Sequence, residues 1–258
     1  MKILVATHKP NIAFPKLDIY YPMTVGASNL GRVFPGTHSD AEGDNISNQN
    51  QFYNELTALY WAKKNLQDED VIGLMHYRRY LGLRRSQNLE DVLTKPQIEK
   101  LLAQADVIVP KARNYYIENQ EAHYLNAHIS DPYYAMKSVI ESDYPLYVDA
   151  FEKVAKSTKA HLFNMSIMRQ ADFQAYTDFL FDVLGKVDEM VHVDTYSGQD
   201  RRSLGFLAER LMDIWLITNA KKVVEVPLVS TERTNWLNKG YHFLKRKFIK
   251  SGSKKVHF

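Results

Sequence analysis

The chain has 258 residues, 45% hydrophobic and 24% charged, which is ordinary globular usage and long enough to bury a sizeable core without staples. It holds no cysteine, so disulfide scaffolds, thiolate metal sites, iron–sulfur clusters and cysteine nucleophiles are excluded together. The net charge of +3 is uneven: seven lysines and arginines and no acid lie between Lys239 and Phe258, which leaves −4 for residues 1–238 and makes that body a poor partner for nucleic acid.

In chain order, Lys2–Ala6 predicts a buried strand, a short β-branched run that stops at the polar Thr7-His8-Lys9-Pro10. That run is too short for the hydrophobic region of a signal peptide, and no window approaches the ~20 apolar residues of a membrane span. The expectation is therefore a soluble, cytosolic protein. Residues 7–47 carry Pro10, Pro15, Pro22, Gly26, Gly31, Pro35, Gly36 and Gly43, which predicts one long irregular segment of the kind that carries function. Asn48–Asn65 predicts a single helix, capped by Asn48 with Gln51 three residues on, its apolar stripe formed by Phe52, Leu56, Leu59 and Tyr60. Val71–Met75 predicts a second buried strand that runs into His76-Tyr77-Arg78-Arg79-Tyr80.

A short helix at Lys95–Gln104 and a strand at Val107–Val109 follow, then a polar and aromatic stretch over residues 112–135. Helices are expected at Met136–Glu141 and Tyr147–Ser157, a fourth strand at Leu162–Met168, and a long helix at Ala171–Met190. A last helix at Leu204–Asn219 leads to a strand at Val223–Val226. Strands alternating with helices predict the α/β class: one Rossmann-like domain over residues 1–238, a mostly parallel central sheet flanked by helices. Residues 239–258 form a basic tail with interleaved aromatics, either an amphipathic stretch for an anionic membrane surface or a solvated terminus.

Ligands of open α/β sheets bind outside the carboxyl ends of the strands. Three such ends offer cations: Thr7-His8-Lys9 after the first strand, His76-Tyr77-Arg78-Arg79 after the second, and Lys111 and Arg113 after the third. In a body of negative net charge this clustering points to a bound diphosphate, with Arg78 and Arg79 offering forked bonds to its oxygens; the alternative is pairing with surface carboxylates. Metal binding is not expected. The one Asp-X-Asp match, Asp68-Glu69-Asp70, precedes its strand and so lies at the wrong edge, and the histidines lack ligand spacing. Asp44 and Asn45 either hydrogen-bond a base or ribose or form an Asx turn. Two acids compete as general base. Glu55 borders an apolar helix stripe, and Glu209 lies away from the core face of the last helix, facing a cleft or solvent.

Six blocks carry a family likeness: Thr7-His8-Lys9-Pro10, Gly43-Asp44-Asn45-Ile46-Ser47, Glu55-Leu56-Thr57-Ala58-Leu59-Tyr60-Trp61, Gly73-Leu74-Met75-His76-Tyr77-Arg78-Arg79-Tyr80, Phe163-Asn164-Met165-Ser166-Ile167-Met168 and Gly205-Phe206-Leu207-Ala208-Glu209-Arg210-Leu211. In this order they resemble the bacterial capsular and exopolysaccharide glycosyltransferase family first catalogued as a domain of unknown function. The likeness runs from about residue 3 to 230; Lys63 departs from it, standing where the family usually has an aromatic.

The resemblance implies a GT-A-like fold and an inverting transfer of a hexose, galactofuranose from UDP-galactofuranose in characterised relatives, without a metal cofactor. On that reading Thr7, His8, Lys9, Asp44 and Asn45 hold the nucleotide, and Arg78 and Arg79, assisted by His76, stabilise the departing diphosphate. Glu209, or failing it Glu55, deprotonates the acceptor, and Asn164 in the fourth strand touches a sugar. The expected acceptor is a lipid-linked oligosaccharide at the cytoplasmic membrane face, where the basic tail holds the enzyme. A retaining transferase and a non-catalytic sugar-nucleotide or glycan-binding module are the alternatives.

Overall fold

Lys2–Thr7 is strand β1, and its alternate residues are buried on opposite faces: Leu4 and Ala6 in one core, Ile3 and Val5 in another. Burial on both faces is what a continuous apolar run means in a parallel sheet. The computed structural model describes residues 1–232; the end of the predicted domain and the basic tail at 239–258 lie outside the described residues.

After β1 come β2 (Tyr20–Thr24), α1 (Ala27–Leu30) and β3 (His38–Ser39), all within the stretch expected to be irregular. The helix expected over Asn48–Asn65 is broken. A 3₁₀ turn at Ser47–Gln49 leads into α2 (Asn50–Tyr53), and α3 (Leu56–Asn65) starts afresh. Between them Asn54 has φ +53° and ψ −129°, a conformation suited to glycine, and no side chain caps α2. Then follow β4 (Val71–His76), β5 (Arg79–Leu81), α4 (Lys95–Leu102), β6 (Val107–Pro110) and β7 (Arg113–Asn114).

Next are α5 (Gln120–Ala127), α6 (Asp131–Asp143), α7 (Val148–Lys156) and β8 (Lys159–Ala160). The last elements are β9 (Ser166–Arg169), α8 (Gln170–Val191), α9 (Ser203–Thr218), β10 (Val223–Val226) and β11 (Leu228–Ser230). The fourth predicted strand is therefore half strand. Its first part is a turn in which Phe163 and Asn164 both have positive φ, so Asn164 stands before β9 rather than in it.

The main sheet has the order β10-β6-β9-β4-β1-β2-β3, with β5 on β4 and β11 on β5. Neighbours are parallel except β9, which runs against both β4 and β6, and the β4-β5-β11 extension, which is antiparallel. This is the mostly parallel α/β sheet that the alternation of elements predicts. One face is covered by α3, α6, α8 and α9 around Leu4, Ile72, Leu74, Phe173 and Trp215. The other packs α4 and the segment about Tyr80 and Leu93 onto Ile3, Met75 and Ile108. Helix α9 is enclosed on every side: 14 of its 16 residues are buried, Glu209, Arg210 and Asp213 among them. A helix apolar on one face only is the amphipathic surface case; α9 is the central one. Glu209 is thus 9% exposed, and of the two positions expected for it, facing a cleft or facing solvent, the layer packed behind it excludes open solvent.

Candidate active site at the switch point of the sheet

β1 and β4 lie side by side and parallel; β2 flanks the first and β9 the second, so the chain departs to opposite sides. That arrangement leaves a crevice outside their carboxyl ends, the usual ligand position in such sheets. Ala6 is level with His76, and the N–H of Tyr77 bonds the Ala6 carbonyl at 3.1 Å, so the two strand ends open at one height. Because β9 is antiparallel, its start, not its end, reaches the same edge and delivers Phe163 and Asn164 there. The acids Asp68-Glu69-Asp70 lie at the opposite edge, where Glu69 pairs with the N-terminal amine. Among the described residues no group of three or more His, Cys, Asp or Glu is placed to hold a metal ion.

An outer cluster surrounds the buried ring of Tyr77. The His8 ring meets it edge-on at 5.4 Å, Lys9 Nζ lies 5.9 Å from its centroid and the Arg78 guanidinium 5.3 Å. Thr7 is buried and its hydroxyl is used within the turn that presents these residues: it donates to the Lys9 carbonyl at 3.0 Å and accepts from the Lys9 N–H at 3.1 Å. Crowding by surrounding protein, and after it the charges of Lys9, Arg78 and Arg202, hold His8 below the ordinary imidazole pKa. Arg202, at the entrance of α9, therefore belongs to this cationic rim, a residue the sequence reading did not single out.

The two arginines expected to act together diverge. Arg78 turns to Glu232 at 3.0 Å and borders a cavity of about 440 Å³ with Asn11, Asn88 and Glu232. Arg79 opens β5 and turns inward, its guanidinium 4.4 Å from the centroid of Phe163. It is half-buried and has no carboxylate partner among the described residues, and burial first, Arg78 second, lowers its pKa. A half-buried guanidinium outside any direct ion pair keeps its forked donors free, although the charges of Glu232 and Glu209 act on it from a distance.

The inner cluster is built around the Phe163 peptide. Its N–H donates to Glu209 Oε1 at 2.7 Å, and its carbonyl accepts from His76 Nε2 at 2.6 Å. This bond fixes the Nε2–H tautomer of His76, whose pKa burial lowers against the opposing pull of Glu55, so the ring is neutral with Nδ1 an acceptor. Asn164 is buried and its amide donates to Glu55 Oε1 at 2.7 Å and to the Gly205 carbonyl at 3.1 Å; its Oδ1 is buried without a donor. Asn54, Phe163 and Asn164 are three of the seven non-glycine residues with positive φ among the described residues, and all three adjoin this cluster. Such strain persists only where surrounding contacts enforce it. Burial raises Glu209 to about 7, with Arg210 and the Phe163 N–H opposing and Glu55 and Asp213 reinforcing the rise. A carboxyl that titrates near neutrality suits proton abstraction from a hydroxyl.

Of the residues expected at the site, the structure thus unites Glu55, Glu209, His76, Arg79 and Asn164, and sets His8, Lys9 and Arg78 beside them. Asp44 and Asn45 stand apart. Asn45 closes an Asx turn, donating to Ala41 and Gly43 carbonyls at 3.1 and 2.8 Å and accepting from Ser47 N–H at 3.1 Å, while exposed Asp44 is 3.5 Å from Lys64. The structural acid of that segment is Asp40, fully buried, which accepts from Gly26 N–H, Ala27 N–H and Thr57 Oγ1 at 2.8, 3.0 and 2.7 Å. No motif marked Asp40; Phe163 opens one of the six blocks but no role was expected of it, because it acts through its backbone, which carries no residue-type signal.

The sheet order and the crevice at its switch point define a GT-A-like α/β fold. The chain belongs to the family of the domain of unknown function DUF4422, whose model matches residues 2–220. It is similar to a solved structure titled as the apo form of the bifunctional glycosyltransferase WbbM, with 31% identity and a TM-score of 0.82 over 90% of this chain. The match spans 45% of that chain, so the present sequence corresponds to less than half of the relative's length. No curated protein matches. Among the described residues no helix is long and apolar enough to cross a membrane.

Proposed function

We propose that the chain is a glycosyltransferase that moves a hexose from a UDP donor to a glycan hydroxyl, with inversion. The likeness to WbbM supports the class, and one observation carries the mechanism: a buried carboxyl titrating near neutrality, Glu209, in the electrostatic reach of a half-buried, unpaired guanidinium, Arg79. Glu209 takes the acceptor proton as the acceptor oxygen bonds to the anomeric carbon. The bond from that carbon to phosphate breaks on the opposite side, and UDP leaves with the electron pair. Arg79, with Lys9 and Arg202 at the rim, neutralises the charge gathered on the diphosphate, the work a divalent ion does elsewhere, while His8, held below the ordinary imidazole pKa, serves as a hydrogen-bond donor. Glu55, committed to Asn164, fits the orientation of the sugar rather than a second displacement, and this supports inversion over retention.

Galactofuranose is the proposed sugar, a lipid-linked oligosaccharide the proposed acceptor, and the cytoplasmic membrane face the proposed location. Incubation of the full chain with a panel of UDP-sugars tests the activity. Release of UDP from one donor, unaffected by EDTA, is the expected result. Donor binding without any turnover would mark a binding module, and activity lost in EDTA and restored by manganese would overturn metal independence.

A further inference from the structure

The third cationic strand end, Lys111 and Arg113, takes no part in the site described above. β9 runs against both β4 and β6, so β6 is parallel to β4 and its end opens at the same edge as the crevice. There β7 and β8 form a short antiparallel ribbon, with Arg113 opposite Ala160 and Asn114 opposite Lys159. Tyr115 is buried where the ribbon ends, packed with Ala160, Leu162 and Phe163, whose N–H holds Glu209. The next two residues lie outside: Tyr116 is 82% and Ile117 48% exposed. The turn keeps them there. Asn114 Oδ1 accepts the Tyr116 N–H at 2.8 Å, the Tyr115 carbonyl accepts the Ile117 N–H at 2.7 Å, and Tyr116 has φ +60°. In so tight a turn glycine or asparagine takes that left-handed conformation at less cost than a bulky aromatic. Lone exposed apolar side chains are ordinary; two in succession, held at a strained apex beside the site, are not.

From this placement we infer that the β7–α5 loop is a membrane-inserting apex, which sinks Tyr116 and Ile117 into the headgroup layer of an anionic bilayer and sets the mouth of the crevice at its surface. An aromatic ring with a polar tip beside an aliphatic chain is a pairing that such interfaces favour. The flank supplies matching charge. Lys111, Arg113 and Lys159 are exposed and enter no ion pair among the described residues, and Lys153 joins Lys159 along the neighbouring groove. The acids near them are engaged, Glu118 with His123 and Asn126, and Asp213 and Glu225 with His161. These free cations stand in a body, residues 1–238, whose net charge is −4. A neutral glycan gains nothing from them, which favours the bilayer as the occupant. The inference rests on the proposed lipid-linked acceptor for its biological sense, but its test needs no turnover.

The chain has no cysteine, so Ile117→Cys in the full chain takes a single environment-sensitive fluorophore, and exposed Asp68→Cys at the opposite edge of the sheet takes the control. The charge of residues 239–258 also draws the chain to anionic vesicles, so the position of the label is read rather than binding alone. With vesicles of phosphatidylglycerol and phosphatidylcholine carrying a spin-label quencher below the headgroups, the label at 117 shifts to the blue and is quenched, and that at 68 is not. Tyr116→Gly, which suits φ +60° and keeps the melting temperature, lowers partition into the same vesicles about tenfold, the scale of withdrawing one apolar side chain. Ile117→Asp lowers it further, and thermal melts verify that each variant is folded. No vesicle binding, an unquenched label at 117 on bound protein, or partition unchanged in both variants overturns the apex. Insertion in a chain that turns over no UDP-sugar keeps the apex and defeats the transferase reading, whereas UDP release without insertion does the opposite.

Discussion

Glu209 is a carboxyl at the centre of a fold, and its environment sets both what it does and what it costs. Burial lifts it from 4.5 to about 7, and the nearby charges of Glu55 and Asp213 add to the rise, while Arg210 and the Phe163 N–H restrain it. As a base it works only when ionised, so kcat/KM rises through about pH 7, and Glu209→Gln removes that limb and cuts turnover by ~10²–10⁴-fold. The same shift has a stability sign. A raised pKa favours the protonated folded state, so the contribution is whole below 4.5 and is lost as pH climbs through about 7. Urea titrations of wild type and Glu209→Gln across that window should converge on a difference of ~3 kcal/mol in favour of the variant at high pH. The arginines divide in the same concrete way. Arg79→Ala is expected to slow turnover at least ~10²-fold, the scale of one charge-stabilising donor, with Arg79→Lys a poor rescue because the planar fork is lost. Arg78→Ala costs less, since that side chain is already paired with Glu232.

Much of this was readable from residue types at strand ends. His76 and Arg79 follow β4 as the strand end predicts, whereas Asn164, expected inside a strand, stands in the turn before β9, and Glu55 follows a break in the helix expected to carry it. The divergence of Arg78 from Arg79 was not readable, because it depends on the single His76–Arg79 pairing that starts β5. Nor was the burial of Glu209, because the helix pattern shows which side of α9 is apolar but not what covers the other side.

At the scale of elements, the break between α2 and α3 does the positioning. Its apolar spacing reads as one helix in sequence, since Phe52, Leu56 and Leu59 keep the period; only tertiary contacts hold Asn54 at φ +53°. Those contacts are identifiable. Arg202 Nε donates to Asn54 Oδ1 at 2.7 Å, and the Asn54 amide fits over Gly205, where a Cβ would stand 2.2 Å from its nitrogen. Glu55 follows directly and bonds Asn164, which bonds the Gly205 carbonyl, so one small residue in α9 registers both helices against the β9 turn. Gly205→Ala gains ~1 kcal/mol of helix propensity and must displace the Asn54 amide. The expected result is a melting temperature within a few degrees of wild type and a roughly tenfold fall in donor turnover, read by calorimetry and UDP release on the same preparations. An equal fall in both would make Gly205 a packing residue only. The short strands β2 and β3 escaped the sequence for a simpler reason: five and two residues set among prolines and glycines leave too little pattern to read.

For the whole molecule, the decisive feature is the direction of β9. In an all-parallel sheet the turn before it would lie at the opposite edge, and Phe163 and Asn164 would never meet β1 and β4; no local pattern reveals strand direction. That turn is in turn moored from the other side by His161, which links α9 through Asp213 to the edge strand β10 through Glu225. The molecule therefore carries a titratable tie between its central helix and its last strand. Although burial lowers the His161 pKa, the hydrogen bonds and charges of Asp213 and Glu225 outweigh it and raise the group above 6.5. A raised imidazole pKa contributes stability that is whole below the unfolded value of 6.5 and is lost as pH rises through the folded value. Stability of the wild type should then fall on that alkaline side, while His161→Gln, which cannot charge, shows a shallower fall there, the part that Glu209 alone contributes. His161→Ala should cost ~3 kcal/mol at low pH, because Asp213 is left buried without its cation. Urea unfolding monitored at Trp215, which lies in the same helix, reads both slopes, and parallel slopes for wild type and His161→Gln would remove the tie from the account of how α9 is held.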